Sequence, residues 1–441
     1  MSAKLLGWPG IIRLGLVQSA IGAMVMLVTS LLNRVMVVEY ALPAALPAGL
    51  VAWHYAVQLS RPAWGHGSDQ GRRRTPWIMF GMALLALGAL VAVDSLPVIA
   101  AGGVFGYVLA IIGFSMIGAG VGAAGTSLLA LLASQVAPTR RAAAASITWI
   151  MMVFGIVVTA NVAGALIDPF SLPRLAMVAS GVALAAFVLS WLALLGIEQP
   201  RVAMPAEESS DAPAISFGAA LREMLAETDA RQFTIFVFLS MLAYSMQDMI
   251  LEPFAGLLFN FTPGQSTQLS GTQHSGVLFG MILVGVLGSA FGGGTPASLR
   301  RWIIGGCLGS ALALLGLAMA AQVGASWPLK ANIMLLGFAN GVFAVAAIGA
   351  MMGLAGARGP ARAGIRMGVW GAAQAVAFGS GGLIGAVGVD LGRALTGDTP
   401  NAFLVVFASE AGLFVIAAWL ALGVTRTRAP IDISMQQEAI A

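Results

Sequence analysis

Residues 61–77 read R-P-A-W-G-H-G-S-D-Q-G-R-R-R-T-P-W and lie between two long apolar runs, residues 42–59 and 77–93. Glycine and proline favour a tight turn here, and one aspartate stands among four arginines. Basic residues in short loops between membrane spans stay on the cytoplasmic side. The stretch therefore predicts a cytoplasmic loop between two spans, defined by Gly65, Asp69, Gly71, Arg72, Arg73 and Arg74.

The order of these residues resembles the loop signature of the major facilitator superfamily, which joins the second and third spans of those proteins. Gly65 and Asp69 keep the spacing of the signature, and the arginines follow. Arg72 stands where the signature has glycine, so Gly71 must build the turn instead. The resemblance implies an all-α polytopic membrane protein with twelve transmembrane helices in two pseudo-symmetric six-helix halves.

The composition of the 441 residues agrees with a membrane protein, because 59% are apolar and only 9% are charged. A helical span needs about 20 apolar residues. The apolar runs lack the alternation of a membrane β-barrel. Twelve spans are predicted, at residues 11–38, 42–60, 77–96, 100–133, 143–167, 174–197, 232–259, 274–293, 302–322, 329–354, 366–390 and 401–424.

The basic residues predict the orientation. With both termini in the cytoplasm, 18 of the 22 Lys and Arg residues fall on cytoplasmic segments. The net charge of +4 therefore reflects membrane orientation, and no nucleic-acid partner is expected. Cys307 is the only cysteine, which excludes an internal disulfide and a cysteine metal cluster.

Four segments are expected: an N-terminal half (1–197), a cytoplasmic linker (198–231), a C-terminal half (232–424) and a cytoplasmic tail (425–441). Two halves are supported by landmarks that recur 221 or 222 residues apart, among them Asp168 and Asp390. The linker contains an amphipathic pattern that fits a helix on the membrane surface or one packed on the protein itself; its apolar residues are Phe217, Leu221, Met224 and Leu225.

Ionisable side chains inside spans are costly and are candidates for function. They occur near the end of the first span and at the corresponding place in the seventh. We expect these two spans to face each other, so that one cation meets three carboxylates near the outer end. The cluster is either an ion pair that closes the periplasmic side or a site that binds protons or a ligand. Its members are Asn33, Arg34, Glu39, Gln247, Asp248 and Glu252.

Three histidines are present. His54 is predicted within span two and His274 at the start of span eight, and His66 lies in the basic loop. A neutral imidazole can be an axial ligand of a metal-centred macrocycle. His54 is therefore a candidate pigment or ligand contact, with an ordinary interhelical hydrogen bond as the alternative.

The sequence offers no basis for an enzyme, since it contains no phosphate-binding loop, no recognisable nucleophile–base pair and no paired-histidine metal spacing. It is instead rich in glycines four residues apart, a spacing that lets membrane helices approach closely. This spacing serves packing within the bundle or a docking face for another membrane helix. The pairs include Gly118/Gly122, Gly337/Gly341 and Gly381/Gly385.

Several runs resemble one branch of the superfamily, the PucC/LhaA or bacteriochlorophyll delivery family. They are L-N-R-V-M-V-V-E (32–39), A-L-P-A-A-L-P (41–47), H-Y-A-V-Q (54–58), G-H-G-S-D (65–69) and A-N-V-A-G-A-L-I-D-P-F (160–170). The resemblance implies a multi-pass protein of the cytoplasmic or intracytoplasmic membrane of phototrophic bacteria. It also implies an assembly factor for light-harvesting antenna complexes, with bacteriochlorophyll as cofactor and antenna polypeptides or a reaction centre–antenna complex as partners.

The leading hypothesis is a non-enzymatic antenna assembly factor that binds or delivers bacteriochlorophyll, with His54 beside Asn33, Arg34 and Glu39 at the polar end of the pigment site. The alternative is a secondary transporter of a small amphipathic solute, driven by protons through Glu39, Asp248 or Glu252.

Overall fold

The computed structural model describes residues 5–61, 63–64, 68, 73–137, 140–198, 222, 226–290, 296–356 and 360–424. Within them the chain forms twelve long helices and no strand. The first, α1, is Trp8–Met26 and continues through the π-helical segments Leu27–Leu32 and Val35–Glu39. The others are α2 (Ala45–Val57), α3 (Thr75–Ala100), α4 (Val104–Gln135), α5 (Arg141–Ile167), α6 (Leu172–Leu194), α7 (Thr228–Phe259), α8 (Pro263–Ala290), α9 (Pro296–Val323), α10 (Leu329–Gly356), α11 (Pro360–Thr396) and α12 (Thr399–Val424).

Eleven of these helices are long and apolar enough to cross a membrane. The exception is α2, with 13 residues followed by the 3₁₀ turn Gln58–Ser60. Large apolar side chains on the outside of the bundle are exposed, as at Val104 and Leu395, each 76% accessible. Such a surface fits contact with lipid.

The prediction that span eight begins at His274 is wrong, because α8 begins at Pro263. Its first turns are polar, so an apolar run read from the sequence starts too late. Ser266, Thr267 and Ser270 are nevertheless 0–3% exposed and pack against neighbouring helices. His274 therefore lies about three turns inside a long helix.

The two halves meet along three helix pairs: α2 with α11, α5 with α8, and α1 with α7. The bundle has two ends. We call the end that holds the start of α1 and the last residues of α4 and α6 the terminal end. The other end holds the connections 40–44, between α1 and α2, and 260–262, between α7 and α8, and we call it the opposite end.

The predicted small-residue spacing serves packing inside the bundle. A Cβ atom on Gly118 of α4 would lie 2.5 Å from the carbonyl oxygen of His54 in α2. A Cβ on Gly381 of α11 would lie 2.6 Å from the carbonyl oxygen of Leu242 in α7. The helices therefore touch backbone to backbone at these positions, which confirms the packing interpretation there.

The apolar residues of the predicted linker helix, residues 217, 221, 224 and 225, and the tail from residue 425 lie outside the described residues.

Candidate functional site

The centre of the predicted cluster is Arg34, which lies between the π-helical segments Leu27–Leu32 and Val35–Glu39 and is 2% exposed. π-helical turns occur often at functional sites. The Arg34 guanidinium forms an ion pair with Glu39 through Nη1. Its Nη2 donates a hydrogen bond to the carbonyl oxygen of Phe261 at 2.6 Å. Arg34 thus joins the end of α1 to the α7–α8 connection in the other half.

The expectation that one cation meets three carboxylates is only partly met, since among the described residues the Arg34 ion pair is formed with Glu39. Gly256 is the α7 residue level with Arg34, because its Cβ would lie 3.3 Å from Nη2. A helix rises 1.5 Å per residue, so Glu252 and Asp248 lie about 6 and about 12 Å deeper along α7. The three acids therefore occupy three levels of the bundle.

Polar contacts between α1 and the C-terminal half continue below Arg34. Ser30 donates a hydrogen bond to Glu252 Oε1 at 2.6 Å, and its oxygen lies 3.2 Å from the Ser270 hydroxyl of α8. Asn33 donates to the carbonyl oxygen of Met249 at 2.8 Å. The prediction that the first and seventh spans face each other is confirmed. Asn33, Arg34 and Glu252 belong to one polar seam between the halves.

Asp248 lies one turn deeper along α7 than Glu252, and Gln247 is the residue before it. Asp248 Oδ1 lies 3.5 Å from the Gln273 amide nitrogen of α8. Gln247 is 0% exposed, and neither its amide oxygen nor its amide nitrogen has a hydrogen-bond partner. The sequence analysis missed a further buried acid, Glu410 of α12, which is 0% exposed. It could have been found, because it is the only charged residue between 399 and 424.

His54 lies in the last turns of α2 and is 1% exposed. Its Nε2 is 2.8 Å from the side-chain nitrogen of Gln58, one turn later in the chain, and its Nδ1 has no hydrogen-bond partner. The ring contacts Tyr55 edge to face at a centroid distance of 5.0 Å. These contacts of His54 do not include Asn33, Arg34 or Glu39, so the proposed grouping of the four is not formed.

His274 also stands apart from the Arg34 ion pair. Its Nδ1 is 3.0 Å from the carbonyl oxygen of Ser270 in its own helix. This bond within α8 satisfies one ring nitrogen locally. His274 thus has one ring nitrogen bonded within its own helix, as His54 has one bonded to Gln58.

Asp168, which follows α5, binds the start of α8 in the other half. Its Oδ1 accepts a hydrogen bond from the Gly264 backbone N–H at 3.1 Å, and its Oδ2 accepts one from the Thr262 hydroxyl. The first N–H groups of a helix lack partners within the helix and carry positive partial charge. The carboxylate therefore fixes the α8 N-terminus to the N-terminal half.

Asp390 of α11 makes the related contact in the other direction. Its Oδ1 and Oδ2 accept hydrogen bonds from the backbone N–H groups of Ala44 at 3.1 Å and Ala45 at 2.8 Å, where α2 begins. The sequence analysis found Asp168 and Asp390 only as landmarks of the repeat. The structure shows that each carboxylate holds a helix start of the opposite half, and we call the two residues the closing carboxylates.

A depression at the opposite end of the bundle adjoins each closing carboxylate. One has a volume of about 590 Å³ and is lined by Arg34, Glu39 and Asp168 together with Phe170 and Phe261. The other, of about 460 Å³, is lined by Asp390 and its neighbours. His54 lines neither depression. The Arg34–Glu39 ion pair and both depressions thus lie at the same end.

Removing both closing carboxylates is expected to loosen the contact between the halves. Loss of a helix N-cap costs about 1 kcal/mol, so Asp168→Ala combined with Asp390→Ala should lower the free energy of unfolding by roughly 2 kcal/mol. The measurement is thermal unfolding in detergent. Asp94→Ala is the control, because Asp94 is exposed near the end of α3. A double variant no less stable than the Asp94 variant would contradict the role of these contacts.

Most of the predicted basic loop lies outside the described residues, namely Gly65, His66, Asp69, Gly71 and Arg72. Arg73 is exposed. The loop signature itself therefore stays a prediction.

Arg74 is buried and ends the loop by binding two helices. Its Nη1 donates hydrogen bonds to the Ala130 carbonyl oxygen at 2.5 Å and the Ser134 hydroxyl at 2.8 Å, both in α4. The backbone N–H groups of Arg74 and Thr75 donate to the Glu198 carboxylate, which caps α3. Glu198 was not predicted. These contacts connect α3, α4 and the segment that follows α6 at the terminal end.

Comparison with solved structures identifies the fold. The chain superposes with a TM-score of 0.70 on a bacterial homolog of the human lysosomal transporter Spinster, in an inward-facing and occupied conformation; 95% of this chain and 96% of that chain are covered at 14% identity. A mutant of the nucleoside transporter NupG gives a TM-score of 0.68 over 95% of this chain and all of its own, at 12% identity. The predicted major facilitator fold is confirmed.

Sequence relatives are closer. The chain is 52% identical over 424 residues to the "Bacteriochlorophyll synthase 44.5 kDa chain" of Rhodobacter capsulatus, covering 96% of this chain and 97% of the relative. It is 30% identical to "Protein PucC" of Cereibacter sphaeroides, covering 95% and 92%. The profile of the family described as PUCC protein matches residues 31–429. The chain therefore belongs to the PUCC protein family, a family with a role associated with photosynthesis.

Proposed function

We propose that the chain is an assembly factor for light-harvesting antenna complexes that binds bacteriochlorophyll or delivers it to antenna polypeptides, without enzymatic chemistry of its own. The observation that carries the proposal is 52% identity, over nearly the full length of both chains, to a relative named for bacteriochlorophyll. The word synthase in that name finds no counterpart in the residues, because the sequence has no nucleophile–base pair or metal-binding spacing.

His54 is the residue that fits bacteriochlorophyll best. Its buried Nδ1 has no hydrogen-bond partner, and a neutral imidazole nitrogen is a suitable ligand for the central metal ion of the macrocycle. Gln58 at Nε2 would keep the ring oriented, as partners of metal-binding histidines do. At 1% exposure, His54 can meet a macrocycle only after α2 and its neighbours separate. Such a site fits transient delivery.

The test is an absorption spectrum of the protein purified mildly from a pigment-producing phototrophic host that lacks antenna polypeptides. A stoichiometric near-infrared bacteriochlorophyll band is expected. His54→Phe should lower the pigment content by more than half, because the metal ion loses its ligand. His274→Phe is the matched control, since it makes the same substitution in a different helix, α8. A colourless, folded protein would refute pigment binding, and an equal loss in both variants would remove His54 from the site.

The proposed location is the intracytoplasmic membrane, with both termini in the cytoplasm and with antenna polypeptides or a reaction centre–antenna complex as partners. The support for the orientation is the placement of 18 of the 22 basic residues. Cys307 is buried, so cysteines introduced singly near the termini can be labelled from either side without background.

A second candidate function is proton-driven transport of a small amphipathic solute. The observation that favours it is a buried acid between the halves, Glu252, with the half-buried acid Asp248 one turn away, in a fold shared with transporters over nearly the whole chain. Uptake into vesicles should then depend on a pH gradient and be abolished in the Asp248→Asn and Glu252→Gln variants. Uptake that ignores the gradient would exclude this mechanism.

A further inference from the structure

Two buried polar side chains in the C-terminal half have no hydrogen-bond partner and no part in the function proposed above. Glu410 of α12 and Gln247 of α7 are both 0% exposed. Within the described parts of the chain, both carboxylate oxygens of Glu410 and both amide atoms of Gln247 lack partners. Buried polar groups are almost always bonded, so four unpartnered atoms in two side chains require an explanation.

The register of α7 and α12 places the two side chains at the same level of the bundle. Phe254 of α7 packs on Phe403 and Phe407 of α12, at centroid distances of 5.2 and 5.0 Å. Gln247 lies two helical turns before Phe254, on the same face of α7, and Glu410 lies two turns after Phe403, on the same face of α12. The helix α7 ends at the opposite end of the bundle and α12 begins there, so the two helices are antiparallel. The two offsets therefore bring Gln247 and Glu410 to one level.

The register of the two helices is fixed at a second point. A Cβ on Gly423 of α12 would lie 2.7 Å from the side-chain oxygen of Gln232 near the start of α7. The pairing of Gly423 with Gln232 and that of Phe403 with Phe254 lie on either side of Gln247 and Glu410. The level of these two side chains is therefore set by contacts both above and below them.

The surroundings are apolar and aromatic. One turn after Glu410, Phe414 packs on Phe343 of α10 at 5.5 Å, and Phe343 contacts Tyr244 of α7 at 6.4 Å. In the described parts of the adjoining helices, the titratable or charged groups near this region are Asp248 and Tyr244 of α7 and Cys307 of α9. Asp390 and Arg393 lie at the far end of α11. None of these is a cation at the level of Glu410.

The electrostatics disfavour a charged Glu410. Asp248 follows Gln247 in α7, so its carboxylate lies within one residue's rise of the level of Glu410. Two negative charges in an apolar region without a cation are unfavourable. A divalent metal ion would need about six oxygen ligands, more than these side chains provide. A proton needs one acid and one acceptor.

We propose that Glu410 and Gln247 form a proton-binding site inside the C-terminal half. Glu410 takes up one proton from water, and the resulting carboxylic acid donates its O–H to the Gln247 amide oxygen across the α7–α12 interface. Release of the proton leaves a carboxylate that repels Asp248. The protonation state of Glu410 is thereby linked to the separation of α7 and α12.

The experiment is infrared spectroscopy of the purified, pigment-free, full-length protein over a range of pH. A carboxylic-acid C=O band is expected at neutral pH that is missing in Glu410→Gln and that shifts in frequency in Gln247→Leu, since the acceptor is lost. Asp94→Asn is the control and should leave this band unchanged, because Asp94 is exposed near the end of α3.

Three outcomes would overturn the site: spectra of Glu410→Gln identical to wild type, a band that does not move in Gln247→Leu, or a band that disappears on addition of Na⁺, which would indicate a cation site instead. Should Glu410→Gln fail to fold, the Gln247→Leu comparison decides alone. The result is independent of pigment or antenna binding, since neither is present.

Discussion

Replacing Gly337 with leucine is expected to prevent α8 and α10 from packing and to abolish the folded protein in detergent extracts. A Cβ on Gly337 would meet the backbone of Gln273, with the carbonyl carbon at 2.8 Å and the oxygen closer still. A neighbouring backbone cannot rotate away as a side chain can, so the helices must separate. Overpacking costs 1–3 kcal/mol and sometimes more, and here at least about 3 kcal/mol of stability should be lost.

The measurement is the yield of monodisperse protein in size-exclusion chromatography together with the apparent thermal midpoint. Gly305→Leu is the matched control. Gly305 lies on the exposed face of the adjacent helix α9, and a Cβ there would have no atom within 4 Å. It should change the stability by less than about 0.5 kcal/mol. A Gly337→Leu protein with the yield and midpoint of wild type would contradict the close approach of α8 and α10.

The fold followed from the sequence because lipid contact imposes long apolar runs, and these are visible without any knowledge of tertiary contacts. The pairing of α1 with α7 also followed, since the duplicated halves place related spans against each other; the hydrogen bond from Asn33 to Met249 is the result. The limits of a span were predicted wrongly where the helix carries polar residues that face other helices instead of lipid. The start of α8 at Pro263 is such a case.

The candidate site could be predicted less well, because its contacts join residues far apart in the chain. Asp168 and Asp390 attracted notice by their repeat spacing, but only the fold shows that each caps a helix of the other half. Depth matters equally. The sequence pattern places Asp248 and Glu252 on the span that faces Arg34, but it does not give their depth. The rise of α7 separates both acids from the ion pair of Arg34 with Glu39.

Arg34→Ala is expected to destabilise the protein by roughly 3 kcal/mol, the lower end of the range for breaking a buried ion pair. The Arg34 cation binds Glu39 and the Phe261 carbonyl oxygen. Its removal leaves the Glu39 carboxylate and that carbonyl oxygen without their partner. Glu39 is about one-third exposed, so water recovers part of the loss, which is why the lower end applies.

Thermal unfolding in detergent measures the effect, with Arg393→Ala as the control. Arg393 is exposed at the same end of the bundle, so its removal should shift the stability by no more than about 0.5 kcal/mol. Arg34→Lys should fall between the two, because a single ammonium group lacks the fork that reaches Glu39 and Phe261 together. The Arg34→Ala loss should persist in high salt, since buried pairs are screened little. If Arg34→Ala unfolds at the same temperature as Arg393→Ala, the contacts of Arg34 with Glu39 and Phe261 do not stabilise the fold.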